Sequence, residues 1–123
     1  MDEALLAELT RLERRDAETR QRLLREHRLY GRYDEAMQQV HRENASELAR
    51  IVGEYGWPGI SKVGAAGCQL AGVIAQHSIC TPELQKGFLA ALVAAAESGD
   101  APMKQVALLT DRIRFNEGRP QVY

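Results

Sequence analysis

VGAAGCQLAGVIAQH, residues 63–77, is the stretch that decides the fold. Because Gln69 is the only strongly polar side chain before its last two residues, the stretch predicts a helix that is buried on most sides. Its glycines and alanines leave little side-chain volume, so neighbouring helices can approach closely and we expect this helix at the centre of the fold. Gln76 and His77 then bring two polar groups to its end.

Turn and cap signals on both sides of this stretch predict further helices. No segment alternates with period two long enough to indicate a strand, although residues 112–115 leave room for a short one. The sequence therefore predicts an all-α single domain over residues 1–123, a compact bundle of about five helices with a tail over 116–123. The signals are the break at Gly31 after an amphipathic N-terminal helix from about Asp2 to Leu29, a second helix over 34–55, the Gly56-Trp57-Pro58-Gly59 turn, a cap at Ser61, the start at Thr81-Pro82-Glu83, the stop at Gly99 and a cap at Asp100.

Charge and composition exclude several classes of protein. Sixteen basic residues against seventeen acidic ones leave a net charge of −1, so nucleic acid is not an expected partner. The acidic N-terminus does not resemble a signal peptide, and the apolar stretch is too short to span a membrane. Cys68 and Cys80 form no C-x-x-C pair, so we expect reduced cysteines in a cytoplasmic protein with no metal and no cofactor.

Polar residues interrupt the apolar stripes of the first two helices. Asp16 and Arg20 lie four residues apart on one face and can pair, either as a surface ion pair or as part of a site. Asn44 lies inside the stripe formed by Val40 and Leu48, where a structural contact between helices is the simpler explanation. His41, like His27, has charged neighbours in the sequence, and we expect both to be exposed.

His77 is the first candidate for chemistry. A lone histidine on an apolar face is more often a satisfied core residue, but Asp111 lies on an apolar stripe of the last helix, with Arg112 beside it. An aspartate that orients a histidine is the minimum for general acid–base catalysis. His77 and Asp111 are therefore the expected catalytic residues, while neither cysteine shows signs of being a nucleophile.

Five ordered motifs carry a resemblance across most of the chain. The chain resembles an uncharacterised family of small bacterial proteins, and Asp16, Arg20 and Asn44 also fit that family's pattern. The resemblance implies that the polar residues of the helices, including Gln76, form one site with Gln121 and Tyr123 of the tail. It supplies no activity, and the family pattern continues after the tyrosine with Gly-Thr-Gln, which a complete site could need. The motifs are Gly56-Trp57-Pro58, Val63-Gly64, Gln76-His77, Leu109-Thr110-Asp111-Arg112 and Gly118-Arg119-Pro120-Gln121-Val122-Tyr123.

Two functions remain open from these observations. The first is an enzyme or small-ligand binder in which His77 is acid or base, Asp111 orients it, and Arg20 or Arg112 holds an anionic group. The second is a non-enzymatic interaction module whose polar network only sets helix register, with the N-terminal helix offered to a partner chain or a second copy. A third hypothesis, a toxin or immunity component of a bacterial conflict system, rests only on the small size of the chain.

Overall fold

A computed structural model describes residues 1–26 and 34–117 of the chain as five helices and no strand. The predicted all-α bundle is confirmed, and residues 112–115 are helical. His27, Gly31 and the tail residues 118–123 lie outside the described residues. The helices are α1 (Glu3–Arg25), α2 (Glu35–Tyr55), α3 (Ile60–Gln76), α4 (Pro82–Glu97) and α5 (Met103–Asn116). The first helix thus ends before the expected Leu29, with Glu26 as its C-cap.

The small-residue helix α3 is central, as its composition predicts. It packs against each of the other four helices. Gly67 shows why small residues are needed, because a Cβ atom at that position would lie 2.9 Å from the Leu6 side chain of α1 and closer still to Val63. Such a contact is too short for real atoms, so the glycine sets how closely α1 approaches α3.

The start of α3 differs from the expected one. Gly64 has φ 76° and ψ 172°, a conformation that favours glycine, and it separates a first turn from the rest of α3. Asp100 caps that first turn, since its carboxylate accepts from the backbone N–H and the hydroxyl of Ser61, at 2.7 and 2.8 Å. The prediction that Ser61 caps α3 and Asp100 caps α5 is therefore wrong, and Pro102 is the N-cap of α5.

Two apolar faces position the site. The stripe of α1 that carries Leu9 and Leu12 is buried against α2 and α3, so it is covered within the chain. On α5 the buried residues are Leu109 and Ile113, one turn apart, and this face packs against α3 and α4. No helix among residues 1–26 and 34–117 is both long enough and apolar enough to cross a membrane.

Candidate active site

Asp16 is the centre of the site, although it lies on the apolar face of α1. The three- and four-residue spacing that buries Leu9 and Leu12 continues to Asp16, which is only 5 % exposed. A buried carboxylate is stable only with charged or hydrogen-bonding partners. The surroundings of Asp16 therefore determine what this part of the molecule can do.

Three side chains from three helices bind the two oxygens of Asp16. The Nε2 atom of His41 lies 2.9 Å from Oδ2, and the Nδ1 atom of His77 lies 2.8 Å from the same oxygen. Arg20 donates to Oδ1 at 2.9 Å, so the predicted Asp16–Arg20 pair is present. The two imidazole rings are neighbours, with centroids 5.2 Å apart. Three of the expected site residues, Asp16, Arg20 and His77, are thus brought together.

The partners of Asp16 keep it ionised. Burial alone would raise the pKa of Asp16, but the hydrogen bonds from His41 and His77, the charge of His77 and the hydrogen bond from Arg20 together hold that pKa well below its usual range. An ionised carboxylate only accepts hydrogen bonds. Both histidines must therefore donate to it.

This constraint determines the tautomer of His77. Its Nδ1 carries a proton and donates to Asp16, so in the neutral ring Nε2 carries a lone pair that can accept a proton. No described residue forms a hydrogen bond to Nε2, and the His77 side chain is 34 % exposed. His77 therefore has one nitrogen bonded to a buried carboxylate and a second nitrogen that bonds to no described residue.

His77 lies at the edge of a groove of about 360 Å³ between α3 and α5. The lining contains apolar side chains, three glutamines and two cationic residues, but no carboxylate, thiol or hydroxyl side chain among the described residues. A mostly apolar cleft with a few polar groups is the usual form of a small-molecule site. The lining residues are Gln69, Gly72, Val73, Gln76, His77, Leu92, Pro102, Lys104, Gln105, Leu108, Leu109 and Arg112.

Asp111 does not orient His77 as the sequence suggested. It is exposed and lines a second groove, of about 280 Å³, which shares Gln76 and Arg112 with the first. The apolar stripe of Leu108 and Phe115, on which Asp111 lies, is not the buried one, since Leu108 is exposed. Asp111 lies two residues from both Leu109 and Ile113 and hence points away from their buried face. Asp16 takes the orienting position instead.

Asn44 connects the helices that carry Asp16 and His41. Its Nδ2 donates to the backbone oxygen of Leu12 at 2.8 Å, and its Oδ1 accepts from the guanidinium of Arg15. Leu12 lies one turn before Asp16 on α1, and Asn44 lies one turn after His41 on α2. The buried amide therefore sets the register that brings Asp16 and His41 together, as the structural alternative for Asn44 predicts.

We expect Asn44→Ala to lower the free energy of unfolding by about 1–3 kcal/mol, because it removes the buried hydrogen bond to the Leu12 backbone oxygen and one partner of the half-buried Arg15. Urea denaturation followed by circular dichroism measures this free energy in both proteins. Gln39→Ala is the matched control, since Gln39 is exposed on the same helix and, among residues 1–26 and 34–117, its side chain bonds only to the exposed Glu43. Equal losses in the two variants would contradict a register role for Asn44.

His41 is a member of the cluster that the sequence pattern did not predict. It is 7 % exposed, so the prediction that it is exposed is wrong. Two charged residues, Arg42 and Glu43, follow it in the sequence, but helical spacing is the better signal. Met37, His41, Asn44 and Leu48 follow one another at intervals of four, three and four, and all four are buried.

The cluster also has the donor types of a metal site. Ligand atoms of Asp16, His41 and His77 lie within 4.8 Å of one another, and two imidazoles with a carboxylate suit zinc or ferrous iron. The separations of 2.8 and 2.9 Å are those of direct hydrogen bonds to a carboxylate. Arg20 also places a positive charge on the same carboxylate, which disfavours a cation there.

Comparison with known proteins adds a family but no activity. A family model described as a family of unknown function (DUF6624) matches residues 5–123. Curated proteins and solved structures give no significant match. The matched range includes every expected site residue; Gln121 and Tyr123, however, lie outside the described residues, and their role stays a prediction.

Proposed function

We propose, for a chain that belongs to the DUF6624 family of unknown function, that it is a hydrolytic enzyme in which His77 is the general base and Asp16 orients it. The observation that carries the proposal is that the two nitrogens of the His77 imidazole have different surroundings. Nδ1 is 2.8 Å from a buried carboxylate, while Nε2 is unpaired within the described residues and the ring lines a groove. This is the arrangement that a base-orienter pair requires.

Water is the nucleophile that fits this groove. No thiol or hydroxyl side chain lines it among the described residues. Cys68 is buried and its burial raises its pKa, which disfavours the thiolate. In the proposed step Nε2 takes a proton from water as the oxygen attacks the substrate, and the leaving group later receives that proton. Asp16 stabilises the imidazolium in between.

The charge of the groove supports a small anionic substrate. Lys104 and Arg112 line it, and neither forms an ion pair with a described residue. Because carboxylates are absent from the described lining, an anionic group entering the groove would meet two positively charged side chains and no lining carboxylate. Arg112 is the better candidate for direct contact, since its planar guanidinium binds carboxylate or phosphate through two hydrogen bonds.

The test of this function is hydrolysis of anionic esters, amides and phosphate esters, followed by proton NMR, with each substrate paired to an uncharged analogue. We expect turnover that favours the anionic member of a pair and that survives dialysis against a chelator. Turnover that disappears with the chelator and returns with zinc would contradict proton transfer by a metal-free dyad. Absence of turnover across the set would contradict the enzyme.

Arg112→Gln should raise KM for the anionic substrate about 10- to 100-fold, the loss expected when a charge-assisted hydrogen bond of about 1.5–3 kcal/mol is removed. Arg114→Gln is the matched control, because Arg114 is exposed on the same helix and does not line the groove. Steady-state kinetics on both variants measures the difference. The same KM in both variants would contradict a binding role for Arg112.

The interaction module is the alternative that the structure weakens. This alternative offers the N-terminal helix to a partner chain or a second copy. The apolar stripe of α1, however, packs against α2 and α3 within the chain. The outer face of α1 carries charged residues that pair with α2, as Arg11 does with Glu47 at 2.7 Å. A dimer by light scattering that requires this face would favour the alternative. The free thiol of Cys68 supports the proposed cytoplasmic location.

A further inference from the structure

Helix α3 ends at the residue before the proposed base, and its end has no glycine cap. The last carbonyls of a helix lack a partner within the helix, and a glycine after the last turn is a common way to satisfy them. Here the residues that follow Gln76 are His77 and Ser78, and His77 keeps a right-handed helical conformation, with φ −80° and ψ −2°. The carbonyl oxygens at this end therefore need other partners.

Gln85 of α4 supplies two of these hydrogen bonds. Its Nε2 atom donates to the backbone oxygens of Ala75 and Gln76, at 3.0 and 3.2 Å. An amide nitrogen carries two N–H groups, so each carbonyl can receive its own donor. Gln85 is only 1 % exposed and lies near the start of α4, where its backbone N–H donates to the Thr81 backbone oxygen at 2.9 Å. The amide thus reaches α3 from a buried and hydrogen-bonded residue.

The Gln76 carbonyl belongs to the peptide group that leads into His77. The nitrogen of that peptide group is the backbone nitrogen of His77, which donates to the Val73 backbone oxygen at 3.0 Å. Because a peptide group is planar, bonds at its nitrogen and at its oxygen fix the plane from which the His77 side chain starts. The ring itself is bound to Asp16 through Nδ1. His77 is therefore held at its backbone by Gln85 and at its ring by Asp16.

We infer that Gln85 is a positioning residue for His77, because it holds the peptide group from which the imidazole reaches Asp16. The inference deepens the proposed function and rests on it in taking His77 as the base. Without the amide donors of Gln85, the carbonyls of Ala75 and Gln76 each lose a buried partner, and the end of α3 shifts to find another. The ring then leaves the position in which Nδ1 donates to Asp16.

The tautomer of His77 reports this position without any substrate. A neutral histidine without a partner carries its proton mainly on Nε2 in water, whereas the bond to Asp16 keeps it on Nδ1. His41 donates to the same carboxylate through Nε2, so we expect it in the other tautomer, as an internal reference. Long-range proton–nitrogen NMR of isotopically labelled histidines distinguishes the two forms, and His77→Gln and His41→Gln assign the signals.

Gln85→Met tests the inference, because methionine keeps the length of the side chain and removes its donors. We expect the neutral His77 ring to change from the Nδ1–H form to a mixture with at least as much of the Nε2–H form, while His41 keeps its tautomer. Turnover per folded molecule should fall about 10- to 100-fold with KM unchanged, since a misplaced base slows the reaction without altering binding by Arg112. Gln85→Asn, whose amide is on a shorter side chain, serves the same test where Gln85→Met does not fold.

Phe88→Leu is the matched control for lost stability. Phe88 is 2 % exposed, lies three residues after Gln85 on α4, and has no hydrogen-bonding group in its side chain. This variant should be less stable and still keep the Nδ1–H form of His77. The inference is overturned if Gln85→Met also keeps that form, if Phe88→Leu loses it equally, or if the wild type lacks it. A tautomer change in Gln85→Met without turnover in the wild type would contradict the proposed reaction and support the positioning by Gln85.

Discussion

His77→Gln should lower turnover of the anionic substrate by about 10²- to 10⁴-fold, the usual contribution of a general base, while the fold remains intact. Glutamine can still donate a hydrogen bond to Asp16 from a position at the C-cap of α3, so we expect the free energy of unfolding to change by only about 1 kcal/mol. Steady-state kinetics and urea denaturation measure the two quantities on one preparation.

His41→Gln is the matched control, because the same substitution is made in a second ring that bonds to the same oxygen of Asp16. His41 is buried and does not line the groove, so its loss should reduce stability more than turnover. The opposite pattern of the two variants identifies His77 as the base. If His77→Gln instead unfolds the protein and leaves turnover per folded molecule unchanged, the histidine is structural.

The bundle could be predicted from the sequence because its signals are local. Apolar spacing and turn residues lie within each helix or directly beside it, and the small residues of 63–77 predict a central helix. The Asp16–Arg20 pair could also be predicted from local spacing, since both residues lie on one turn of α1. The cap on α3 was assigned wrongly because Asp100 acts across 39 residues of sequence.

Which residues form the site depends on which helix faces pack together, and the sequence of a single helix does not determine this. Asp111 and Asp16 each interrupt an apolar stripe, and nothing in their own helices says which one reaches His77. Packing decides it: the buried face of α5 is the one with Leu109, and Asp111 is outside it. The charged residues that follow His41 suggest an exposed side chain, whereas its spacing from Met37 and Asn44 indicates the buried face of α2. Tertiary contacts 25 and 61 residues apart complete the cluster.

Asp16→Asn should lower the free energy of unfolding by about 3–5 kcal/mol at neutral pH, because it removes the charge that binds Arg20, His41 and His77 in a buried place. The pKa of Asp16 is held below its usual 3.8, so the folded state binds this proton more weakly than the unfolded chain does. The stabilisation from the carboxylate is therefore complete above about pH 4 and is lost as the pH falls below that value.

The difference between wild type and Asp16→Asn should accordingly be constant from pH 7 to about pH 5 and then shrink towards pH 3, since asparagine does not titrate. Urea denaturation at four pH values across this range measures it. Asp111→Asn is the matched control, an exposed aspartate without a hydrogen bond or ion pair among the described residues, and it should change stability little at any pH. A deficit in Asp16→Asn that is as large at pH 3 as at pH 7 would mean that the changed hydrogen bonding of the amide, and not the charge of Asp16, accounts for the difference. That outcome would remove the ionised carboxylate on which the orientation of His77 depends.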